Sequence, residues 1–269
     1  MYVAGCDVGS LTGKAVILND KEILSTIIIP DEIRPEDTAM KALNQALDKA
    51  GLTMDDISYL VGTGYGRTKI PFADENISEI TCHGRGAYWQ EPSIKTIVDI
   101  GGQDCKVILL DSDGFVADFA MNDKCAAGTG RFLEGVARAL KLDLEELGPI
   151  SLKAQNPCII SSQCSVFAES EVVSLLADGV DIADIIAGIH KAVAQRLISM
   201  VNKVGLKKDF TIAGGVSKNA GVVKFLEEAF GEIKQLPVDP QLGGALGAAL
   251  FARERMDLKV GVEKNHGRD

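Results

Sequence analysis

The chain has 269 residues, of which 46% are hydrophobic and 25% charged. This composition supports a full core and argues against disorder. With 28 Lys and Arg against 38 Asp and Glu, the formal charge is −10, which disfavours nucleic acid or an anionic membrane as the main partner. No apolar run reaches the roughly 18 residues of a membrane span, and the first residues do not resemble a signal peptide. We therefore expect a cytoplasmic protein.

The first third of the chain predicts a mixture of strands and helices. Helical spacing of Met40, Leu43 and Leu47 predicts the first helix. The predicted strands cover Tyr2–Cys6, Lys14–Leu18, Leu24–Ile29 and Ile57–Gly62, and the predicted helices cover Thr38–Ala50 and Ile77–Trp89.

The remainder begins with a strand over Ser93–Ile100 and adds a short strand over Phe210–Ala213. Helices are predicted over Arg131–Leu140, Val166–Leu176, Ile182–Val204, Ala220–Ala229 and Gly244–Met256. We expect a first lobe over residues 1–94, a second lobe over 95–242 that contains the segments around Cys125 and Cys164, and a C-terminal helix over 243–269 that packs toward the first lobe.

An internal repeat relates the two predicted lobes. The segment from Asp7 reads D-V-G-S-L-T-G-K-A-V-I-L, and the segment from Asp99 reads D-I-G-G-Q-D-C-K-V-I-L-L. Asp, Gly, Lys and the last Leu fall in the same register. Each segment predicts a strand, a tight turn and a returning strand, so the repeat indicates two similar α/β lobes.

Two such turns facing each other across a cleft can clamp a nucleotide. Glycines let backbone N–H groups approach phosphate closely, and Asp7, Asp99 and Asp104 can hold hydrated magnesium. Gln103 or Asp104 can orient a water for attack on a terminal phosphate. The candidate nucleotide-binding residues are Asp7, Gly9, Ser10, Thr12, Lys14, Asp99, Gly101, Gly102, Gly214, Gly215, Lys218, Gln241 and Gly244.

These turns also admit other interpretations. Asp and Gly favour ordinary hairpin turns, but two turns in register together with T-I-A-G-G-V at Thr211–Val216 favour nucleotide binding. A phosphate-binding P-loop is excluded, because Gly9–Ala15 is one residue short and lacks a hydroxyl residue after Lys14. A dinucleotide fingerprint is excluded by the glycine spacing around Gly62–Thr68 and Gly128–Leu133.

Six cysteines occur without a C-x-x-C pair, which excludes a zinc ribbon or a bacterial ferredoxin run. Cys125 and Cys164 are each predicted to lie just before a helix, where the helix dipole stabilises a thiolate or an anionic iron–sulfur cluster. A cuboidal cluster takes four thiolates, so a symmetric dimer would supply two from each copy. Small buried thiols or a nucleophile remain alternatives, and Cys158 ranks third as a ligand.

Several segments resemble one family of proteins, the activator components of 2-hydroxyacyl-CoA dehydratases, which includes the ATPase subunits of benzoyl-CoA reductases. The resemblance extends from about residue 3 to residue 252. It is carried by Asp7–Ser10, Thr63–Arg67, Asp99–Asp104, Asn122–Leu133, Cys164–Val172, Ile185–His190 and Gly214–Asn219.

The resemblance implies a two-lobed fold of the acetate-kinase, sugar-kinase, heat-shock-chaperone and actin type. It further implies a homodimer that shares one 4Fe-4S cluster held by Cys125 and Cys164 of each copy. The family binds ATP with magnesium, hydrolyses it, and sends a low-potential electron to a dehydratase. Ferredoxin or flavodoxin is the implied electron donor.

The first turn departs from the family pattern, which usually has Gly-Ser-Thr where this chain has Gly-Ser-Leu-Thr. Leu11 cannot donate a hydrogen bond, so either Ser10 or Thr12 must supply the phosphate-binding hydroxyl. Three alternatives remain for the function: an electron donor to another reductase (a benzoyl-CoA reductase or a double-cubane cluster protein), a small-molecule kinase of the same fold, and a nucleotide-switched scaffold.

Overall fold

A computed structural model describes residues 1–20, 22–160 and 164–266, with the side chains of Val166 and of residues 260–266 excepted. The chain divides into two compact units. Unit 1 comprises Met1–Ile94, Leu110–Val116 and Leu236–Asp269, and unit 2 comprises Lys95–Leu109 and Ala117–Gln235.

Groups of consecutive strands and groups of consecutive helices follow one another along the chain, and the described residues also include three short 3-10 turns. The strands are β1 (Tyr2–Val8), β2 (Thr12–Leu18), β3 (Ile23–Pro30), β4 (Ile57–Thr63), β5 (Glu75–Asn76), β6 (Thr96–Ile100), β7 (Cys105–Leu110), β8 (Val116–Asn122) and β9 (Phe210–Ala213). The helices are α1 (Pro35–Ala50), α2 (Glu79–Gln90), α3 (Gly130–Leu140), α4 (Leu144–Ser151), α5 (Ser165–Ala177), α6 (Ile182–Val204), α7 (Ala220–Phe230) and α8 (Gly243–His266).

Unit 1 is built on a five-stranded sheet in the order β3-β2-β1-β4-β5. The antiparallel β1–β2 and β2–β3 pairs form a meander, while β4 and β5 run parallel to β1. Because side chains alternate along a strand, Ala4 and Cys6 pack in the core that contains α1, and Val3 packs in the core that contains α8. The sheet is therefore covered on both faces.

Small residues let α8 lie directly on the sheet and on α2. A Cβ at Gly5 would overlap the Ala245 carbonyl, and one at Gly86 would overlap the Gly243 carbonyl. A Cβ at Gly247 would overlap the Cys82 carbonyl. A larger side chain at any of these glycines would displace α8 from the sheet or from α2, because a well-packed interior has no room for an added methyl group.

Unit 2 is built on a four-stranded sheet in the order β8-β7-β6-β9. The β6–β7 pair is antiparallel and the β6–β9 pair is parallel. Its core combines sheet residues such as Val98 and Val107 with Ile185, Ile189 and Val193 of α6, all of them buried.

The ends of α6 follow from its flanking residues. The Asp181 side chain accepts a hydrogen bond from the Ala183 amide, which caps the first turn. Gly205, at φ 91, ends the helix in a conformation that favours glycine. In the described part of the chain, no helix has both the length and the apolar character needed to cross a membrane.

Candidate functional site

The β1–β2 hairpin forms the first predicted phosphate turn. Asp7 pairs with Lys14 across the strands, and the Gly9 amide donates to the Thr12 carbonyl at 3.0 Å, which closes the loop. Asp7 is buried, and its Oδ2 lies 3.6 Å from Lys14 Nζ. Ser10 lies at the tip of this loop, one residue beyond the closing amide.

The β6–β7 hairpin repeats this geometry in unit 2. Asp99 pairs with Lys106, and the Gly101 amide donates to the Asp104 carbonyl at 2.9 Å. Lys106 Nζ is 3.1 Å from Asp99 Oδ2 and 2.9 Å from Asp104 Oδ1. Both Lys106 and Asp99 are buried, so one ammonium compensates two carboxylates in this cluster.

Lys106 is a candidate site residue that the sequence-based prediction did not include. The repeat already contained the signal, because Lys106 holds the same register position as Lys14. Only the structure reveals that Lys106 bridges two carboxylates, whereas Lys14 approaches the Asp7 carboxylate and the Thr12 carbonyl.

The two units also resemble each other in the parallel strand beside each hairpin, because both strands are followed by a glycine with positive φ. β4 is followed by Gly64 at φ 90, and β9 is followed by Gly214 at φ 81. A Cβ at Gly64 would overlap Asp7 Oδ1, and one at Gly214 would lie 2.8 Å from Asp99 Oδ1 and overlap the Ile100 carbonyl. Each buried aspartate is thus enclosed by a glycine turn that has no room for a side chain.

The second hairpin loop is bonded to the start of α3. The Gly130 amide donates to the Gly101 carbonyl at 3.0 Å, and the Arg131 amide donates to the Gly102 carbonyl at 2.8 Å. The first-turn amides of a helix have no partner within the helix, and here they fix the loop. The Gln103 side chain is exposed in the same loop, and Asp104 is partly buried beside Lys106.

The remaining nucleotide-binding candidates divide between the units. In unit 2, the Gly215–Lys218 segment forms a 3-10 turn in which Gly215 and Lys218 are both exposed. In unit 1, the Gln241 amide donates to Asp239 Oδ1 at 2.9 Å just before α8. A Cβ at Gly244 would lie 2.9 Å from Asp7 Oδ2 and 3.1 Å from His83 Nε2. The absence of a side chain at Gly244 therefore leaves room for the Asp7 carboxylate and the His83 ring beside the start of α8.

The six cysteines differ sharply in accessibility. Burial raises the pKa of Cys6 and of Cys82 to about 12 and that of Cys105 to about 11, so these three remain protonated thiols at neutral pH. Cys125 is partly buried and Cys164 is exposed.

Cys125 precedes α3, as predicted, but it is separated from the first turn of that helix. α3 begins only at Gly130, because Gly128 takes φ 92 and Thr129 forms the extended N-cap. Cys125 lies in the preceding loop, where Asn122 Nδ2 donates to its carbonyl at 2.8 Å. Cys164, in contrast, is the N-cap residue of α5, as predicted.

The helices that follow the two cysteines pack against each other. The Glu169 carboxylate of α5 lies directly against Gly135 of α3, where a Cβ would overlap its Oε1. Among the described residues, no three His, Cys, Asp or Glu side chains come together as a metal site. The described side chains of one chain therefore do not assemble a cluster site.

Comparison with known proteins finds a match over residues 4–252 to the model of the BadF/BadG/BcrA/BcrD ATPase family. The activator of lactoyl-CoA dehydratase from Anaerotignum propionicum is 46% identical, over 96% of this chain and 100% of that protein. The (R)-2-hydroxyglutaryl-CoA dehydratase activating ATPase of Acidaminococcus fermentans is 44% identical, over 95% and 98%. A benzoyl-CoA reductase subunit from Thauera aromatica is 33% identical, over 94% and 93%.

A solved structure shares the fold closely. The activator of the 2-hydroxyisocaproyl-CoA dehydratase from Clostridium difficile, with bound ADPNP, has a TM-score of 0.92 and 44% identity, covering 97% of each chain. The sequence-based expectation of the acetate-kinase, heat-shock-chaperone and actin type of fold is confirmed.

Proposed function

Because the chain belongs to the BadF/BadG/BcrA/BcrD ATPase family, we propose that it hydrolyses ATP to deliver a low-potential electron to a 2-hydroxyacyl-CoA dehydratase. The observation that carries this proposal is the similarity to dehydratase activators along their whole length. The accessible thiols of Cys125 and Cys164 add support, because an electron carrier needs ligands for a redox centre.

We assign the phosphate contacts to the two hairpin loops. The amides of Gly9 and Gly101 already close their own turns, so we expect the next amides, those of Ser10 and Gly102, to face phosphate oxygens. Ser10 lies at the loop tip, whereas Thr12 is already part of β2, where it pairs with Pro30 of β3. We therefore assign the phosphate-binding hydroxyl to Ser10.

Hydrolysis requires an oriented water and stabilisation of charge on the terminal phosphate. We assign the water to Gln103, whose exposed side chain is carried on the second loop. We propose that Asp104, whose carboxylate lies 2.9 Å from Lys106 Nζ, orients hydrated magnesium. Asp7 and Asp99 are the other carboxylates proposed to act on the hydrated metal. We propose that the nucleoside binds at the Gly215–Lys218 turn and that Gln241 also contacts the nucleoside.

The donor set of the chain fits an iron–sulfur cluster shared by two copies. Cys125 and Cys164 are the candidate ligands, and thiolate sulfur is the ligand that such clusters require. Two thiolates from each of two copies complete the four ligands of a 4Fe-4S cluster, which when bound would store the electron to be transferred. A symmetric homodimer is the proposed assembly, and ferredoxin or flavodoxin is the proposed donor.

The bond pattern supports a direct link between nucleotide and cysteine. The carbonyls of Gly101 and Gly102 accept bonds from the first amides of α3. Thr129, just before those amides, donates through Oγ1 to the Ala126 carbonyl at 2.6 Å, and Ala126 is adjacent to Cys125. A shift of the loop on hydrolysis would therefore be transmitted over a few residues to a cluster ligand.

Anaerobic purification with iron analysis tests the proposal. We expect absorbance near ~400 nm and about four irons per dimer, which is the content of one 4Fe-4S cluster. Cys125→Ala and Cys164→Ala should each remove both signals. Cys158→Ala is the matched control, since Cys158 is also partly accessible but its amide is engaged with the Asp184 carbonyl, and it should retain the iron.

The activity measurement is ATP turnover coupled to a 2-hydroxyacyl-CoA dehydratase. We expect ATP hydrolysis without a phosphoryl acceptor, together with ATP-dependent dehydration of the acyl-CoA substrate. An absolute requirement for an acceptor would instead identify a small-molecule kinase. Activation of a benzoyl-CoA reductase in place of a dehydratase would identify the other branch of the family, represented by the 33% identical relative.

A further inference from the structure

A buried polar network connects three helices of unit 2 around His190. His190 is fully buried in α6. Its Nδ1 lies 2.9 Å from Ser151 Oγ at the end of α4, and its Nε2 lies 3.2 Å from Nδ2 of Asn219, which precedes α7. Nothing in the proposed hydrolysis uses these three side chains.

The direction of each hydrogen bond follows from its neighbours. Asn219 Oδ1 accepts from the amides of Gly221 and Val222, so its Nδ2 must face the ring. An amide NH₂ only donates, so His190 Nε2 accepts and its Nδ1–H donates to Ser151 Oγ. Ser151 Oγ in turn donates to the Gly148 carbonyl at 2.9 Å. Every member of the network is therefore satisfied.

Asn219 joins this network to the proposed nucleoside turn. It caps α7 and directly follows the Gly215–Lys218 segment, and its amide donates to the Val216 carbonyl at 2.9 Å. The other end of the turn is fixed by Gly214, which lies against Asp99 and Ile100. The turn is thus held at one end by the β6 strand and at the other by the His190 ring.

Glycines make the network possible. A Cβ at Gly221 would overlap both His190 Nδ1 and Ser151 Oγ, and a Cβ at Gly148 would lie 3.1 Å from the Ala220 amide. α4 and α7 therefore meet the ring of α6 at closest approach. Such a contact fixes the ring orientation, because a close-packed interior leaves no room for another rotamer.

We propose that His190 is a positioning residue for nucleotide binding: it holds Asn219, and through Asn219 the Gly214–Lys218 turn, in the geometry that receives the nucleoside of ATP. This inference rests on the proposed function of that turn. Burial lowers the pKa of His190 to about 4, so the ring stays neutral and keeps the acceptor that Asn219 needs.

The test compares two variants that break the same bond from opposite sides. His190→Phe keeps a ring of similar size but removes the acceptor. Asn219→Ser keeps an N-cap for α7 but is too short to reach the ring. We expect each to raise the KM for ATP and the Kd for ADP about tenfold, a factor equivalent to about 1.4 kcal/mol, with kcat within about twofold. The double variant should be no worse than either single one.

Leu226→Ala separates positioning from general destabilisation. Leu226 is fully buried in α7, outside the Gly215–Lys218 turn and outside the His190 hydrogen bonds, so this variant should lower Tm without changing KM. An unchanged KM in the foldable variants, or effects that multiply in the double variant, would overturn the proposal. If His190→Phe is insoluble, Asn219→Ser alone decides. Failure of the wild-type protein to hydrolyse ATP would refute the proposed function instead, which keeps the two failures distinct.

Discussion

Replacing Lys106 with Met removes the ammonium that compensates Asp99 and Asp104. The variant breaks two charge-assisted contacts, at 3.1 and 2.9 Å, and leaves two carboxylates facing each other in a largely buried site. Loss of one partner from a buried charge cluster costs about 3 kcal/mol or more. The matched control is Lys14→Met, because Lys14 holds the same position in the repeat but lies 3.6 Å from Asp7. That distance exceeds hydrogen-bond length, so we expect a loss of only about 1 kcal/mol.

Urea unfolding of the nucleotide-free protein measures the difference. At a slope of about 3 kcal/mol per molar urea, Lys106→Met should lower the midpoint by about 1 M. The chain has one tryptophan, Trp89, which lies in unit 1, so its fluorescence follows unit 1 while far-UV circular dichroism follows both units. The Lys106 variant should shift the circular dichroism transition ahead of the fluorescence transition. Adding Asp99→Asn should recover part of the loss. Equal midpoints for the two lysine variants would refute the reasoning.

Three further predictions address protonation, thiol access and the first loop. The folded-state pKa of His190, about 4, is below the ordinary value of 6.5. Because the unfolded chain binds more protons between these two values, the free energy of unfolding should fall as the pH drops from about 6.5 toward 4. The urea midpoint of His190→Gln should fall less than that of the wild type over the same pH range. Cys164 is exposed, whereas burial raises the pKa of Cys105 to about 11. Iodoacetamide at pH 8 should therefore label Cys164 first in the iron-free protein, as peptide mass spectrometry would detect. Faster labelling of Cys105 would contradict its burial. Ser10→Ala should raise the KM for ATP about tenfold, the effect of one lost bond to a charged group, while Thr12→Ala should change it little; the reverse order would transfer the hydroxyl role to Thr12.

Many of the helices and strands could be predicted because apolar periodicity and capping residues mark them in the sequence. The predicted bounds of α6 and β9 match the structure, since α6 has a long apolar periodicity between a capping Asp181 and Gly205. α4 was missed, although Asp143 and Glu146 form a capping box at its start. Its eight residues contain Pro149, which is unfavourable inside a helix and obscures the pattern. β8 was missed because several of its side chains are exposed, so it lacks a clear alternation of apolar and polar residues.

The candidate site was readable only as far as the repeat extends. The repeat predicted two hairpins with Asp and Lys at equivalent positions, and the registers of both hairpins agree with it. The repeat says nothing about burial, so the two-carboxylate role of Lys106 required the structure. The helix after Cys125 was predicted to begin at Arg131 and begins at Gly130, whereas the left-handed Gly128 and the extended Thr129 that separate Cys125 from its first turn depend on local backbone conformation and had no sequence signal.

The route of the chain through the two units has a consequence for biosynthesis. Apart from the hairpin tip Leu110–Val116, unit 2 is one uninterrupted stretch, whereas unit 1 needs α8, which packs on β1 through Gly5 and on α2 through Gly86. During translation, unit 2 can thus form its core before α8 has been made. Until then, the sheet formed by the first ninety or so residues lacks the helix that packs on one of its faces. The nascent chain would expose that apolar face to chaperones until the last helix emerges, and variants that weaken the α8 contact would lower yield in the cell before they lower activity.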